Sequence, residues 1–345
     1  MKFTVPRLKT STTEVAVPYL LAFIAITLAG VLIPGFLSGD HVRALAASAA
    51  YIGIIAIGPT IVILLGGIDL SIPYTVTLAA VVMTQLEASG WADELSLTVS
   101  LALGVGVGLV NGLIIVFLKI NALVVTLGMN SILLGAVLLY TGGSPKGYAS
   151  ELAVSLSTEL FLGIPVVVYL WLALAILVTV VLRATTFGRG VYSVGSNPKA
   201  SVIAAMPVKA ITMGAYIVSG LSAAFGGVLL AGYTGQAYLG MGDSYLLSSI
   251  AVVVIGGTSI FGGRGSYIQT VAGAMFIVVL SSVLVTTNVG AAAQQILYGV
   301  IILLMMFLNQ LVVSRNGGRG GRGRKRQETP SAEPVPASSG VGAFH

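Results

Sequence analysis

The chain has 345 residues, of which 56% are apolar and only 8% charged. A soluble chain of this length needs about a quarter of its residues charged to cover its surface, and a disordered one needs low hydrophobicity, so most of this chain belongs in lipid. With no cysteine, and only His41 and His345 as histidines, disulfides, thiolate metal sites and cysteine or histidine catalysis are excluded or left without material; neither an enzyme nor a resident metal or cofactor is expected.

A helix needs about 20 apolar residues to cross the hydrocarbon. Ten stretches qualify in turn: Val15 to Pro34, Ala44 to Leu65, Ile72 to Leu86, Leu97 to Leu118, Ala122 to Tyr140, Leu162 to Leu182, Ala210 to Gly232, Leu246 to Phe261, Tyr267 to Thr287 and Ala291 to Val313. The first is followed by a small-residue site, Ala44-Leu45-Ala46, as in a signal peptide, but Asp40, His41 and Arg43 intervene and the run reads as a retained span. The third and eighth are short and adjoin Gly66-Gly67 and Gly256-Gly257, which predicts helices broken inside the membrane. The expectation is an all-α polytopic membrane protein of about ten helices, some broken. It divides into an N-terminal cytoplasmic segment (1–14), a transmembrane body (15–313) and a disordered basic cytoplasmic tail (314–345).

Asp69, in Gly66-Gly67-Ile68-Asp69-Leu70-Ser71 ahead of Pro73, is the carboxylate nearest a break. An ionisable group at membrane depth is a candidate proton carrier; Asp69 or Ser71 before Pro73 is equally a helix start. In the fourth span Gly104, Gly108 and Gly112 recur every four residues, a face that lets two helix backbones approach closely. Polar groups in the spans, Asn111, Thr126, Asn130, Ser131, Ser219 and Ser222, can bond a solute's hydroxyls or one another.

Between the sixth and seventh spans, Arg183 to Lys209 carries Asn197-Pro198 as a turn or cap, then a short helix over Ala200 to Ala205 before Pro207. So short a helix is not stable alone: it either docks on a partner or lies on the bilayer surface as a connector. Gly262-Gly263-Arg264-Gly265-Ser266 lacks the lysine and the strand of a phosphate loop, so nucleotide chemistry is expected on another polypeptide. The Gly- and Arg-rich tail reads as a solvated cytoplasmic end; RNA or anionic lipid is the rival reading, and no nucleic-acid partner is expected.

If the N-terminus is inside and all ten spans cross, 15 of the 17 basic residues fall on the inner side. The outer side then keeps Arg43 and Lys146 with the acids Asp40, Glu87, Asp93, Glu94, Glu151, Glu159 and Asp243. This is the positive-inside pattern of a multi-pass protein of the plasma (inner) membrane with both ends cytoplasmic.

Four stretches then carry a resemblance. They are Gly66 to Ser71, Lys119 to Gly128, Thr185 to Pro198 with its Tyr192-Ser193-Val194-Gly195-Ser196-Asn197, and Ile255 to Ser266 with Gly256, Gly257, Thr258 and Ser259. In this order they resemble the inner-membrane permeases of ribose-type ABC sugar importers, over roughly residues 15 to 312. The resemblance implies a permease subunit that moves a monosaccharide by ATP-driven alternating access. Its implied partners are membrane lipid, a second permease copy, an extracytoplasmic solute-binding protein and a cytoplasmic ATPase that binds the ATP. It implies further that Gly195, Asn197, Ala200 and Ala205 belong to the loop that docks on the ATPase, and that Gly66, Gly67, Asp69, Ser71, Asn111, Asn130, Gly256, Gly257, Thr258 and Ser259 belong to pathway helices and their breaks. Ser201 and Ala205 stand where the family pattern has alanine and glycine. Permeases for nucleosides or branched-chain amino acids would share the fold with another cargo, and an ion-coupled carrier using Asp69 is the more distant alternative.

Overall fold

The computed structural model describes the backbone of residues 12–320 and the side chains of 15–307. Two units divide the chain, Met1–Met306 and Phe307–His345; of the second, only backbone as far as Gly320 is described, and it is helical. The expected N-terminal segment and basic tail therefore lie largely outside the described residues.

In chain order the helices are α1 (Thr12–Leu32), α2 (Gly39–Ile55), α3 (Ile57–Leu64), α4 (Ile72–Ala88), α5 (Asp93–Leu113), which runs into a π-helical turn Ile114–Leu118, α6 (Ala122–Thr141) and α7 (Glu151–Thr158). A two-stranded hairpin follows, β1 (Leu160–Phe161) antiparallel to β2 (Ile164–Pro165). The chain then forms α8 (Val166–Ala184), α9 (Thr186–Ser196), α10 (Pro198–Ile203), α11 (Val208–Thr234), α12 (Tyr245–Ile255), α13 (Tyr267–Thr286) and α14 (Ala291–Gly320).

The protein is all-helical and polytopic, as expected, but the count of clean crossings needs correction. Among the described residues, six helices are long and apolar enough to cross by themselves: Val15–Leu32, Asp93–Leu118, Ala122–Thr141, Val166–Ala184, Val208–Thr234 and Tyr267–Thr286. The pair α2 and α3, bent by 41°, makes a seventh. Its bend has a cause in the sequence: Pro59 cannot donate to Ile55, so the ladder breaks one turn earlier, and the freed Gly58 N–H is taken up by Ser222 Oγ at 3.1 Å. The expected spans at 72–86 and 246–261 correspond to helices of only 17 (α4) and 11 (α12) residues, and the one at 291–313 lies within α14, whose described side chains end at Phe307. Gly66-Gly67 ends α3 ahead of α4, and Gly256-Gly257 ends α12. The expected sixth span also starts late, because Leu160–Pro165 folds back as the hairpin.

The core is built around α11, whose middle carries Ala215, Ser219, Gly220, Ala223, Ala224, Gly226 and Gly227, all buried. α5 lies along it with the glycine face expected from the sequence: a Cβ at Gly108 would fall on the Tyr216 carbonyl, and one at Gly220 on that of Gly104. Without a hydrophobic force between helices in lipid, such close backbone packing supplies the cohesion. A second lock joins α2, α8 and α13. The buried Tyr267 hydroxyl donates to the Gly53 carbonyl (2.7 Å) and accepts from Trp171 Nε1 (3.1 Å). Tyr267→Phe leaves a buried N–H and a buried C=O unpaired, a loss of about 1–3 kcal/mol; the melting temperature of the detergent-solubilised protein is expected to fall by several degrees, and an unchanged value would contradict this lock.

Candidate functional site: two breaks and the segment that meets them

The first break begins where α3 ends. Gly66, at φ +87°, turns the chain out of the helix, with its N–H on Ile63 O and that of Gly67 on Val62 O. Residues 68–71 then run without helical bonds in a buried setting, which is tolerated only where neighbours satisfy the backbone. Two helices do so, and a third holds the Ser71 side chain. Thr126 Oγ1 on α6 accepts from Leu70 N–H (3.0 Å), and Asn130 Oδ1, one turn on, accepts from Tyr74 N–H (3.4 Å). Tyr216 on α11 donates to Ile68 O (3.4 Å). Asn111 Nδ2 on α5 donates to Ser71 Oγ (2.9 Å).

Asp69 is 4% exposed at the centre of this set. Its Oδ1 accepts from Ser71 N–H (2.9 Å) and Ser71 Oγ (2.6 Å), and its Oδ2 accepts from Ser219 Oγ (2.6 Å). The carboxylate thus holds the turn that leads into α4 but does not cap the helix, since it accepts from Ser71 and Ser219 and from none of the first N–H groups of α4. Ser71 caps by position only, its hydroxyl being turned to Asp69 and not to the N–H groups of α4. Thr126, Ser219 and Ser222 are consumed in holding breaks in place, a role their residue types alone did not reveal. Asn111 Oδ1 is buried without a partner among the described residues.

The second break, between α12 and α13, holds Gly256, Gly257, Thr258 and Ser259. Gly257 and Thr258 close the helix end with N–H groups on Val254 O and Val253 O, and Ser259 N–H reaches Arg264 O (2.9 Å) across a tight loop. Thr258 Oγ1 is buried without a partner among the described residues. α3 and α13 are tied directly by Thr60 Oγ1 and Thr270 Oγ1 at 3.0 Å.

The two breaks and the 183–209 segment meet at one place. Gly263 N–H donates to Leu64 O (2.8 Å), joining the second break to the end of α3. Gly195, in the last turn of α9, lies so close that a Cβ would fall on the Leu64 carbonyl oxygen, with Gly263 N at 2.8 Å. Tyr192, one turn earlier, donates from its hydroxyl to Gly265 O (3.0 Å). Burial pushes that phenol above its ordinary range, against a weaker opposing pull from Arg183, so it remains a donor. Leu64 is the residue that motif reading missed, and Tyr192 and Gly263, though inside quoted motifs, were given no role there, because the role of all three is a contact between segments far apart in the chain.

From this junction α10 projects. Asn197 caps it as expected, accepting from Ala200 N–H (3.0 Å). The expected helix over 200–205 is shifted: it runs Pro198–Ile203, and Ala205 lies beyond it in the left-handed region at φ 56°. A glycine suits that conformation, and the alanine carries a cost of about 1–2 kcal/mol. Val202 and Ile203 are 62% and 86% exposed, an apolar tip beside the exposed Lys199.

Buried polar breaks inside a bundle of apolar helices, joined to one projecting apolar tip, define a membrane transport protein rather than an anchor. The chain matches the model of the branched-chain amino acid transport system / permease component family over residues 42–308. It belongs to that family and is a transport subunit, a multi-pass protein of the plasma membrane. It is 33% identical over 266 residues to the ribose import permease protein RbsC of Bacillus subtilis (strain 168), covering 76% of this chain and 83% of that protein. It is also 35% identical over 232 residues to the autoinducer 2 import system permease protein LsrD of Escherichia coli (strain SMS-3-5 / SECEC), covering 66% and 70% respectively, and 34% identical over the same length to LsrD of strain K12. No solved structure matches.

Proposed function

We propose that the chain is the membrane subunit of an ABC importer for a monosaccharide or similar small polyhydroxylated solute. It works with a cytoplasmic ATPase, an extracytoplasmic solute-binding protein and a second permease copy. The names of its relatives, one for ribose and one for autoinducer 2, support this cargo class. In this reading α4, α12 and α14 complete ten membrane passages, with both ends and the α9–α10 segment on the cytoplasmic side that the positive-inside count favours.

The observation that carries the mechanism is the contact of Gly195 with Leu64 and Gly263. α10 docks on the ATPase through Val202 and Ile203. When the ATPase closes on ATP, α9 and α10 move as one piece, and the junction passes the displacement to both breaks and so to the helices that follow them. A ligand shifts such an equilibrium only by binding its two states differently; the ATPase does so through the position of α10. The orphaned Asn111 Oδ1 and Thr258 Oγ1 are polar groups that a repacked state can satisfy.

Reconstitution with the ATPase and binding protein of the same system tests this. Uptake of labelled ribose is expected to require ATP and all three components; uptake driven by an ion gradient through the permease alone would overturn the reading. Because the chain has no native cysteine, Lys199→Cys reports orientation directly: an impermeant thiol reagent is expected to reach it only from the inner face.

A further inference from the structure

In the 235–244 segment, which the sequence places in an outer loop, Ala237, Met241 and Gly242 are buried against the body. Gly242 N–H donates to Thr77 Oγ1 (3.1 Å), and a Cβ on Gly242 would fall on the Pro73 carbonyl, so this stretch is pressed against the first turns of α4. The 17 residues of α4 place that turn about 24 Å below the opposite end of the helix, and the 11 residues of α12 keep it about 16 Å above the second break. In the ten-passage reading both helices cross the roughly 30 Å of hydrocarbon, and residue 243, lying between their far ends, falls inside it.

At that depth Asp243 is exposed, and among the described residues its carboxylate has no hydrogen bond or ion pair. Gly240 leaves room for it: a Cβ there would stand 2.6 Å from Asp243 Oδ2. The Gly242 contact with Pro73 brings Asp243 to the turn of α4 that carries Tyr74, itself partly exposed. Asn130 lies beside Tyr74, its Oδ1 on the Tyr74 N–H and its amide donors still available. A bare carboxylate facing lipid is costly, and intramembrane acids face water-filled cavities or partners.

We propose that Asp243, Tyr74 and Asn130 form a solute contact on a water-filled compartment inside the permease, taking a neutral polyhydroxylated solute through adjacent hydroxyl groups. The carboxylate accepts from two hydroxyls, the amide donates, and the tyrosine offers a ring face and a hydroxyl, a set that suits a sugar. The inference deepens the permease reading and rests on it for the cargo class, whereas the compartment stands on the placement of Asp243.

Two measurements on the reconstituted complex decide it. Asp243→Cys, in a chain with no other cysteine, is expected to react with an impermeant, water-borne thiol reagent; failure to react from either face would overturn the compartment. Asp243→Asn, nearly isosteric, is expected to lower ATP-dependent ribose uptake roughly tenfold or more, as for a lost hydrogen bond to a charged group, with ATP hydrolysis unchanged and Asp93→Asn as a neutral control. Wild-type uptake by Asp243→Asn would overturn the solute contact. If the unmodified complex took up no ribose, the cargo reading and with it the sugar contact would fall, while thiol labelling of the Asp243→Cys variant would still decide the compartment.

Discussion

Replacing Gly195 by alanine is expected to abolish ATP-driven uptake while leaving the permease folded and bound to its ATPase. The added methyl would fall on the Leu64 carbonyl oxygen and crowd Gly263 N. These are backbone atoms, which cannot swing aside as a side chain does, and the Gly263 N–H to Leu64 O bond (2.8 Å) closes the same contact. Overpacking of this kind costs about 1–3 kcal/mol, which here separates α9 from the ends of α3 and α12 without touching the exposed Val202 and Ile203. The expected signature is ATP hydrolysis without transport: co-purification with the ATPase and basal hydrolysis persist, and ribose uptake falls roughly tenfold or more, about 1.4 kcal/mol for each factor of ten. Normal uptake by the Gly195→Ala complex would show that the junction does not transmit the stroke. Loss of the ATPase from the complex would show that Gly195 serves docking instead.

The second large effect is expected at Asp69, where two substitutions should part company. Asp69→Ala strands the Ser71 N–H and the hydroxyls of Ser71 and Ser219, three buried donors now held by one carboxylate. Each unpaired buried donor costs about 1–3 kcal/mol, so the break loses its organising centre and little folded protein should survive solubilisation. Asp69→Asn keeps the shape: its Oδ1 accepts from both Ser71 groups, and its Nδ2 faces a Ser219 hydroxyl that can turn and accept. Folded yield and ATP-driven uptake of Asp69→Asn are therefore expected to stay near wild type. A folded Asp69→Asn protein devoid of uptake would return Asp69 to the role of proton carrier, since the amide preserves the hydrogen bonds and removes only the titration.

Much of this is legible in the chain alone. The apolar runs, the scarcity of charge and the glycine pairs at 66–67 and 256–257 follow from short-range physics: lipid excludes unpaired backbone groups and charges, so spans and breaks are written locally. The Gly104-Gly108 face was legible for the same reason, because close helix packing needs small residues at a fixed period. Asn197 as a cap needed only its neighbours, although the helix it caps begins and ends earlier than expected.

What local pattern could not carry is which distant segments touch. Thr126 and Ser219 look alike as polar residues in apolar helices; only the packed bundle shows that each is spent on the first break, 56 and 150 residues away from its partner. Charge counting registers the number of passages and not how a connection packs between them; only the packed bundle shows Gly242 pressed on the Pro73 carbonyl at the start of α4. By itself the sequence determined a membrane-embedded chain of broken helices, since composition and periodicity act within a few turns of chain. The tertiary structure alone decided that Gly195, Leu64 and Gly263 share one contact, because a backbone-to-backbone approach between remote segments leaves no mark on a sequence beyond the glycines that permit it.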